Sequence, residues 1–98
     1  MKEVSKTGHF TIDLPSSDAA TALSGPGNSF LKKFESLTGV SLTIRGLQLE
    51  MNGVISKIER ASALVELTRP IWEQGIEVPE VDLKAALVLY SLGNLSVD

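Results

Sequence analysis

The chain has no cysteine and a single histidine, and these absences exclude several classes of site. Without thiols there can be no disulfide framework, no thiolate nucleophile and no cysteine-based metal site. One histidine, His9, rules out a multi-histidine metal centre, and neither a serine nor a carboxylate accompanies it in a recognisable catalytic arrangement. The carboxylates form no evident ligand cluster. We therefore predict that this chain is not an enzyme and holds neither a metal nor a cofactor.

Long apolar runs and aromatic residues are also scarce. No apolar run approaches the roughly 20 residues that a membrane helix needs, and the N-terminus lacks an apolar signal core. We therefore expect a cytoplasmic protein with no membrane partner. Aromatic residues make up 5% of the chain. Because Phe10, Phe30 and Phe34 all fall on predicted core faces, we expect no exposed aromatic platform of the kind an RRM uses to stack bases.

What the chain does have is the composition of one small globular domain. Its 98 residues are 43% hydrophobic and 21% charged. A chain of this size and hydrophobic content can bury a single core without disulfide bonds or a bound metal. We predict a polar lead-in over residues 1–8, one domain over 9–93 and a mobile tail over 94–98. The net charge of −3 argues against strong nonspecific binding of nucleic acid, but it allows a local basic patch.

Hydrophobic periodicity predicts three strands and four helices. Alternation with period two indicates strands over 9–14, 40–45 and 47–51, the last two joined as a hairpin at Gly46. Helical spacing indicates a short helix capped by Ser16 or Ser17, and further helices over about 29–37, 54–69 and 79–92. Glycines at 39 and 93 are expected to end two of them. This order, β-α-α-β-β-α with one further helix, predicts an α+β fold with a three-stranded antiparallel sheet covered by helices on one face.

The turn Gly25–Asn28 is the first candidate binding feature, because it lies directly before the helix that begins at Ser29. Backbone N–H groups at a helix start, together with the helix dipole, favour a phosphate, and small residues let a nucleic-acid backbone approach. A simple tight turn between two helices is the alternative interpretation. Pro26 supports that alternative because it removes an amide donor, and neither Pro26 nor Gly27 is basic.

Three basic residues are the other candidates. Lys32 and Lys33 follow the turn and could contact phosphates, although a solvated helix face is the commoner role of lysine. Arg45 ends a predicted strand and could stack on a base or donate hydrogen bonds to it. A surface arginine paired with a neighbouring acid is the alternative.

The element order and the placement of Gly25–Asn28 resemble a KH domain, in which a GXXG loop clamps the backbone of a single strand. Asn28 stands where that loop would have its second glycine. At finer resolution the chain resembles the N-terminal domain of bacterial PhoH-like ATPases over about residues 9–93. The resemblance rests on an ordered set of short pieces: Leu23–Asn28, Leu31-Lys32, Thr38-Gly39-Val40, Ile44-Arg45-Gly46, Glu59-Arg60-Ala61, Leu64–Leu67 and Val81-Asp82.

The resemblance implies a function that this chain carries only in part. In that family the segment precedes a P-loop NTPase domain, but the sequence has no G-x-x-x-x-G-K-[ST] motif. We therefore expect a fragment without the ATPase domain, so that ATP and magnesium belong to the absent part. The expected ligand is single-stranded RNA, held by Gly25, Pro26, Gly27, Asn28, Lys32, Lys33 and Arg45.

A second hypothesis assigns the chain to assembly instead of RNA binding. The KH-like fold would then pack against the ATPase domain or a neighbouring subunit in a homo-oligomer. The expected surface is the closing helix, with Leu89, Leu92 and Trp72. Exposed, clustered apolar residues there would indicate a partner.

Overall fold

Three antiparallel strands form the sheet of the computed structural model, which describes residues 6–95. The strands are β1 (Thr7–Asp13), β2 (Ser41–Arg45) and β3 (Gln48–Val54), in the spatial order β1-β3-β2. Five helices accompany them: α1 (Ser17–Ser24), α2 (Ser29–Thr38), α3 (Ile55–Leu67), α4 (Arg69–Trp72) and α5 (Glu80–Leu95). A short 3-10 turn, Pro26–Asn28, joins α1 to α2.

The two faces of the sheet differ in chemistry because side chains alternate along each strand. Leu42, Leu49 and Met51 lie on one face and are buried beneath the helices. The opposite face is mostly polar in the paired part of the sheet, and its one apolar side chain there, Val54, lies opposite Thr7 at the end of the paired strands. The polar residues between the ends are His9, Thr11, Asp13, Ser41, Thr43, Arg45, Gln48, Glu50 and Asn52. This arrangement confirms the predicted α+β class, and it is consistent with a KH-like arrangement.

Local signals place the ends of the first two helices. The Ser16 Oγ accepts a hydrogen bond from the Ala19 amide at 3.1 Å, which caps α1 as predicted. Gly39 ends α2 with φ 75°, a left-handed conformation that glycine adopts at little cost. Phe30 and Phe34 of α2 are buried and pack edge to face, with ring centroids 4.8 Å apart. The burial of both rings in the core cluster anchors α2.

The hairpin between β2 and β3 is as short as the sequence predicted. Arg45 pairs with Gln48, so that Gly46 and Leu47 form a two-residue loop. Gly46 has φ 58° and occupies the first central position, where type II′ turns favour glycine. Leu47 was assigned to a strand by its alternation, but it lies in this loop and is 47% exposed.

The region around Pro70 also follows the prediction. Helix α3 ends at Leu67, and a single turn, α4, follows it. Trp72 is fully buried, and its indole Nε1 donates to the carbonyl oxygen of Val65 at 3.0 Å. Arg69 stays at the surface, where a hydrogen bond to Glu66 raises the pKa of its guanidinium.

Two predictions about element ends and core membership were wrong. Phe10 was predicted to lie in the core, but it is 47% exposed because β1 is an edge strand that the helices cover only in part. Gly93 was predicted to end the closing helix, yet α5 continues to Leu95. Gly93 has no left-handed conformation there, and a helical glycine costs only about 1 kcal/mol.

The predicted terminal segments overlap the described residues only in part. β1 begins at Thr7, inside the predicted lead-in. Residues 1–5 of that lead-in and residues 96–98 of the predicted tail lie outside the described residues. On α5, Leu83 and Ala86 are buried, and Leu87 and Tyr90 pack against the core.

Candidate nucleic-acid interface

The turn Gly25–Asn28 has a backbone that requires its small residues. Gly25 has φ 73°, and a Cβ atom there would lie 2.9 Å from the Cβ of Phe30. Gly27 and Asn28 have φ values of 58° and 63°. Asparagine is among the few non-glycine residues that adopt this left-handed region readily. Asn28 therefore preserves a conformation that glycine would also take, which explains how the turn tolerates it.

A groove runs from this turn along one edge of the sheet. One wall comes from the end of the turn and from α2, and the other comes from β2. The lining residues are Asn28, Leu31, Lys32, Glu35, Leu42, Thr43 and Ile44. Leu31 and Leu42 are buried and give the groove an apolar floor, while Lys32 is exposed at its rim. We call this the α2–β2 groove, and it brings Asn28 and Lys32 together, as the sequence predicted.

Lys33 lies elsewhere, because neighbouring residues on a helix point about 100° apart. It lines a separate depression with Gly25 and Pro26. Its Nζ donates to Glu80 Oε1 at 3.1 Å, which joins α2 to the start of α5. This hydrogen bond and the charge of Lys33 lower the pKa of the Glu80 carboxyl, with a further contribution from Lys84. Lys33 is therefore engaged in a surface ion pair outside the α2–β2 groove.

Arg45 also lies outside the groove. It sits at the end of β2 on the polar face of the sheet, and its side chain is 76% exposed. Its Nε lies 3.4 Å from Glu50 Oε1, which is the acid-paired alternative that the sequence left open. Such exposed ion pairs contribute little to stability, so Arg45 remains free to exchange partners.

Glu35 is a further functional candidate, which the sequence did not single out. It is half-buried in the α2–β2 groove, and its Oε2 accepts a hydrogen bond from the Leu42 amide at 2.8 Å. The carboxylate therefore covers part of the β2 edge and adds negative charge near Lys32. The position of Glu35 along α2 gave no signal of this contact, because only the folded chain places β2 beside α2.

Other kinds of site are not found in the described part of the chain. Residues 6–95 contain no group of three or more His, Cys, Asp or Glu side chains placed to hold a metal ion. Within the same residues, no helix is long and apolar enough to cross a membrane.

Comparison with known proteins adds one relative. No family model matches the chain. A protein of Synechocystis sp. (strain ATCC 27184 / PCC 6803 / Kazusa) named PhoH-like protein is 32% identical to it over 76 residues. The chain is a distant homologue of that PhoH-like protein. The match covers 78% of this chain but only 23% of the relative, so the chain spans about a quarter of the relative's length.

Proposed function

We propose that this chain is a single-stranded RNA-binding accessory domain of a PhoH-like ATP-binding protein. The ATPase activity, with its ATP and magnesium, would belong to another part of the full-length protein. The observation that carries the proposal is the α2–β2 groove, which joins the left-handed turn at Asn28 and the exposed lysine Lys32 to the edge of β2.

The geometry supports separate positions for the backbone and the bases of a strand. Phosphates would pass the turn Gly25–Asn28, where Gly27 has open space around it, and would contact Lys32. A base would lie against the apolar floor formed by Leu31 and Leu42. A strand that continued past the end of β2 would reach Arg45, for which we expect a smaller contribution.

The charges of the groove indicate weak binding. Glu35 lies in the same groove as Lys32, and the chain as a whole carries a net charge of −3. Few phosphate contacts are available, so we expect the dependence of affinity on salt to be shallow compared with that of strongly basic proteins. The rest of the full-length protein would supply additional affinity.

The test is fluorescence anisotropy of labelled single-stranded RNA at low and moderate salt. Lys32→Ala and Gly27→Asp should each weaken binding. Two changes outside the groove serve as controls: Lys84→Ala removes a lysine from α5, and Ser56→Asp adds a carboxylate on the exposed side of α3. If neither this domain nor the full-length protein binds RNA at low salt, the proposal is wrong.

The exposed face of α5 favours a second candidate function, assembly. Val81, Val88, Leu89 and Leu92 are 71%, 57%, 57% and 55% exposed. Clustered apolar exposure of this kind marks interaction surfaces. Trp72, which the sequence assigned to the same surface, is buried and does not belong to it. In this alternative the domain packs through α5 against the ATPase domain or a neighbouring subunit, and binds no RNA.

One variant on α5 distinguishes the two functions. Val88→Lys should leave RNA binding by the isolated domain unchanged, because α5 lies outside the α2–β2 groove. In the full-length protein it should lower the oligomeric mass, or expose α5 to limited proteolysis, only if α5 is an assembly surface.

A further inference from the structure

Strand β1 forms the other edge of the sheet, and its backbone polar groups alternate in direction. The Leu14 amide donates to Leu47 at 2.8 Å, and the Lys6 carbonyl accepts from Ile55 at 2.9 Å. Both contacts point toward β3. In an antiparallel pair, the N–H and C=O of each next residue point the other way. The outward groups therefore belong to every second residue: Thr7, His9, Thr11 and Asp13.

This edge lacks the features that normally prevent an edge strand from pairing with a strand of another molecule. The register of β1 with β3 runs without a bulge from Thr7 to Asp13, and the strand contains neither proline nor lysine. Among residues 6–95, no hydrogen bond reaches the four outward amides. An extended backbone is the partner that satisfies such a row of donors and acceptors.

An apolar depression lies beside the same edge, between β1 and α3. Its apolar lining includes Phe10, Ile55 and Ile58. Phe10 is 47% exposed and Ile55 is 42% exposed, although both lie on the helix side of the sheet. A strand added to β1 would therefore place side chains against an apolar surface as well as form main-chain hydrogen bonds.

We propose that this edge pairs antiparallel with the same edge of a second copy, joining two three-stranded sheets into one of six strands. Full overlap of Thr7–Asp13 with itself puts the middle residue, Phe10, opposite Phe10 of the second copy. Since the Phe10 backbone points inward, this is a non-hydrogen-bonded pair, in which side chains come closest. The exposed aromatic ring thus meets its own copy at the two-fold axis.

The polar face tolerates this register without a clash of charges. Thr7 faces Asp13 of the second copy, and His9 faces Thr11. No two like charges stand directly opposite each other, and the diagonal neighbours of His9 are Asp13 and His9 of the second copy. An isologous pair needs this kind of self-complementarity, because each contact occurs twice.

The interface is small, which sets the expected affinity. A buried phenylalanine covers about 150–250 Å², so each half-exposed Phe10 leaves on the order of 100 Å² to bury. With the seven-residue strand and Ile55, the contact falls at the lower end of the range for specific interfaces. We expect a reversible dimer with a dissociation constant on the order of 100 µM in the isolated domain.

This self-association does not depend on RNA binding. β1 and β2 are opposite edges of the sheet, so the dimer leaves both α2–β2 grooves open. Loss of RNA binding and loss of the dimer are consequently separate outcomes.

The first test is sedimentation velocity of the domain across a concentration range centred on about 100 µM. Thr11→Pro removes one outward N–H and no bond to β3, a change that edge strands tolerate. Thr11→Val is the matched control that keeps this N–H. Circular dichroism should show both variants folded. We expect the wild type and Thr11→Val to dimerise. The dissociation constant of the Thr11→Pro dimer should be at least tenfold higher. A monomer at all concentrations, or equal dimerisation of both variants, would overturn the proposal.

Cross-linking tests the register, since the chain has no cysteine of its own. Phe10→Cys places two thiols opposite each other at the proposed axis, within the reach of a disulfide after small adjustment. Leu92→Cys places a thiol on the exposed face of α5 as the control. Under mild oxidation at equal concentration, Phe10→Cys should form covalent dimers faster. Faster cross-linking of Leu92→Cys would move self-association to α5 and refute pairing through β1.

Discussion

The two edges of the sheet differ in whether their outward backbone amides have hydrogen-bond partners. At the β2 edge, two side chains of α2 satisfy one outward amide of the strand and the amide just before it. The Leu42 amide donates to Glu35 at 2.8 Å, and the Val40 amide donates to Thr38 Oγ1 at 3.3 Å. At the β1 edge, the outward amides of Thr7–Asp13 have no such partner among the described residues. The difference arises because α2 lies along β2, whereas α3 contacts β1 without a polar side chain that reaches its edge.

This contrast indicates what each edge can bind. The Leu42 amide is already occupied by Glu35, so a ligand in the groove finds the Leu42 carbonyl and the Ile44 backbone turned outward. The β1 edge presents a whole row of backbone groups beside an apolar depression. A base and a phosphate fit the first surface, and another strand fits the second.

The largest expected effect comes from removing the anchor that holds α2 over the β2 edge. Phe34 is fully buried, so Phe34→Ala should lower the free energy of unfolding by about 3–5 kcal/mol, through lost burial and a residual cavity. Urea denaturation measures this change. Leu37→Ala, on the same helix but 37% exposed, is the control and should cost much less. Similar losses in both variants would mean that α2 is not anchored by its buried face.

A smaller effect should follow when the carboxylate is taken from the β2 edge. Glu35→Ala leaves the Leu42 amide without its charged acceptor and should cost about 1.5–3 kcal/mol. Hydrogen exchange at Leu42 should accelerate, which distinguishes a local opening from global unfolding. Glu35→Gln keeps an acceptor oxygen and should lose less stability. It also removes negative charge from the groove, so RNA affinity should rise in this variant if the proposed function is correct.

The Thr38 hydroxyl offers a similar test at the start of the β2 edge. It is buried, donates to the Phe34 carbonyl at 2.7 Å and accepts from the Val40 amide. Thr38→Val keeps the shape and removes both bonds, so we expect a loss of about 1 kcal/mol. Thr43→Val, on the exposed polar face, is the control and should be close to neutral. An unchanged free energy of unfolding in Thr38→Val would show that water replaces the hydroxyl.

The smallest effect concerns the ion pair between Lys33 and Glu80, which lies outside the groove. The hydrogen bond from Lys33 lowers the pKa of Glu80, with Lys84 contributing less. Because the folded-state pKa is depressed, the stabilisation is present above the unfolded pKa and is lost as pH falls through the folded pKa. The window therefore lies on the acid side of about pH 4.3, the ordinary value of glutamate.

An NMR titration of the Glu80 carboxyl checks this assignment. Lys33→Ala should move the pKa of Glu80 back toward its ordinary value, and Lys84→Ala should move it less. An unchanged pKa in Lys33→Ala would mean that Lys33 is not held at α5 and is available to a ligand.

Local chemistry made much of the fold predictable. The Ser16 cap, the Gly39 stop and the Gly46 hairpin each depend on a few neighbouring residues, and all three were found from sequence. The face of Arg45 was also readable, since it alternates with the buried positions of β2. The candidate groove was predictable only in part, because Asn28 and Lys32 lie in it while Lys33 does not.

The sequence by itself determined the elements, their order and the polar and apolar faces of each strand, because these follow from turn chemistry and side-chain periodicity. Only the tertiary structure decided which strand edges are covered. Phe10 and Leu42 have similar patterns around them, yet one is half-exposed and the other buried. The physical reason is that α2 lies close enough to β2 for Glu35 and Thr38 to reach backbone amides, whereas no described helix brings such side chains to β1.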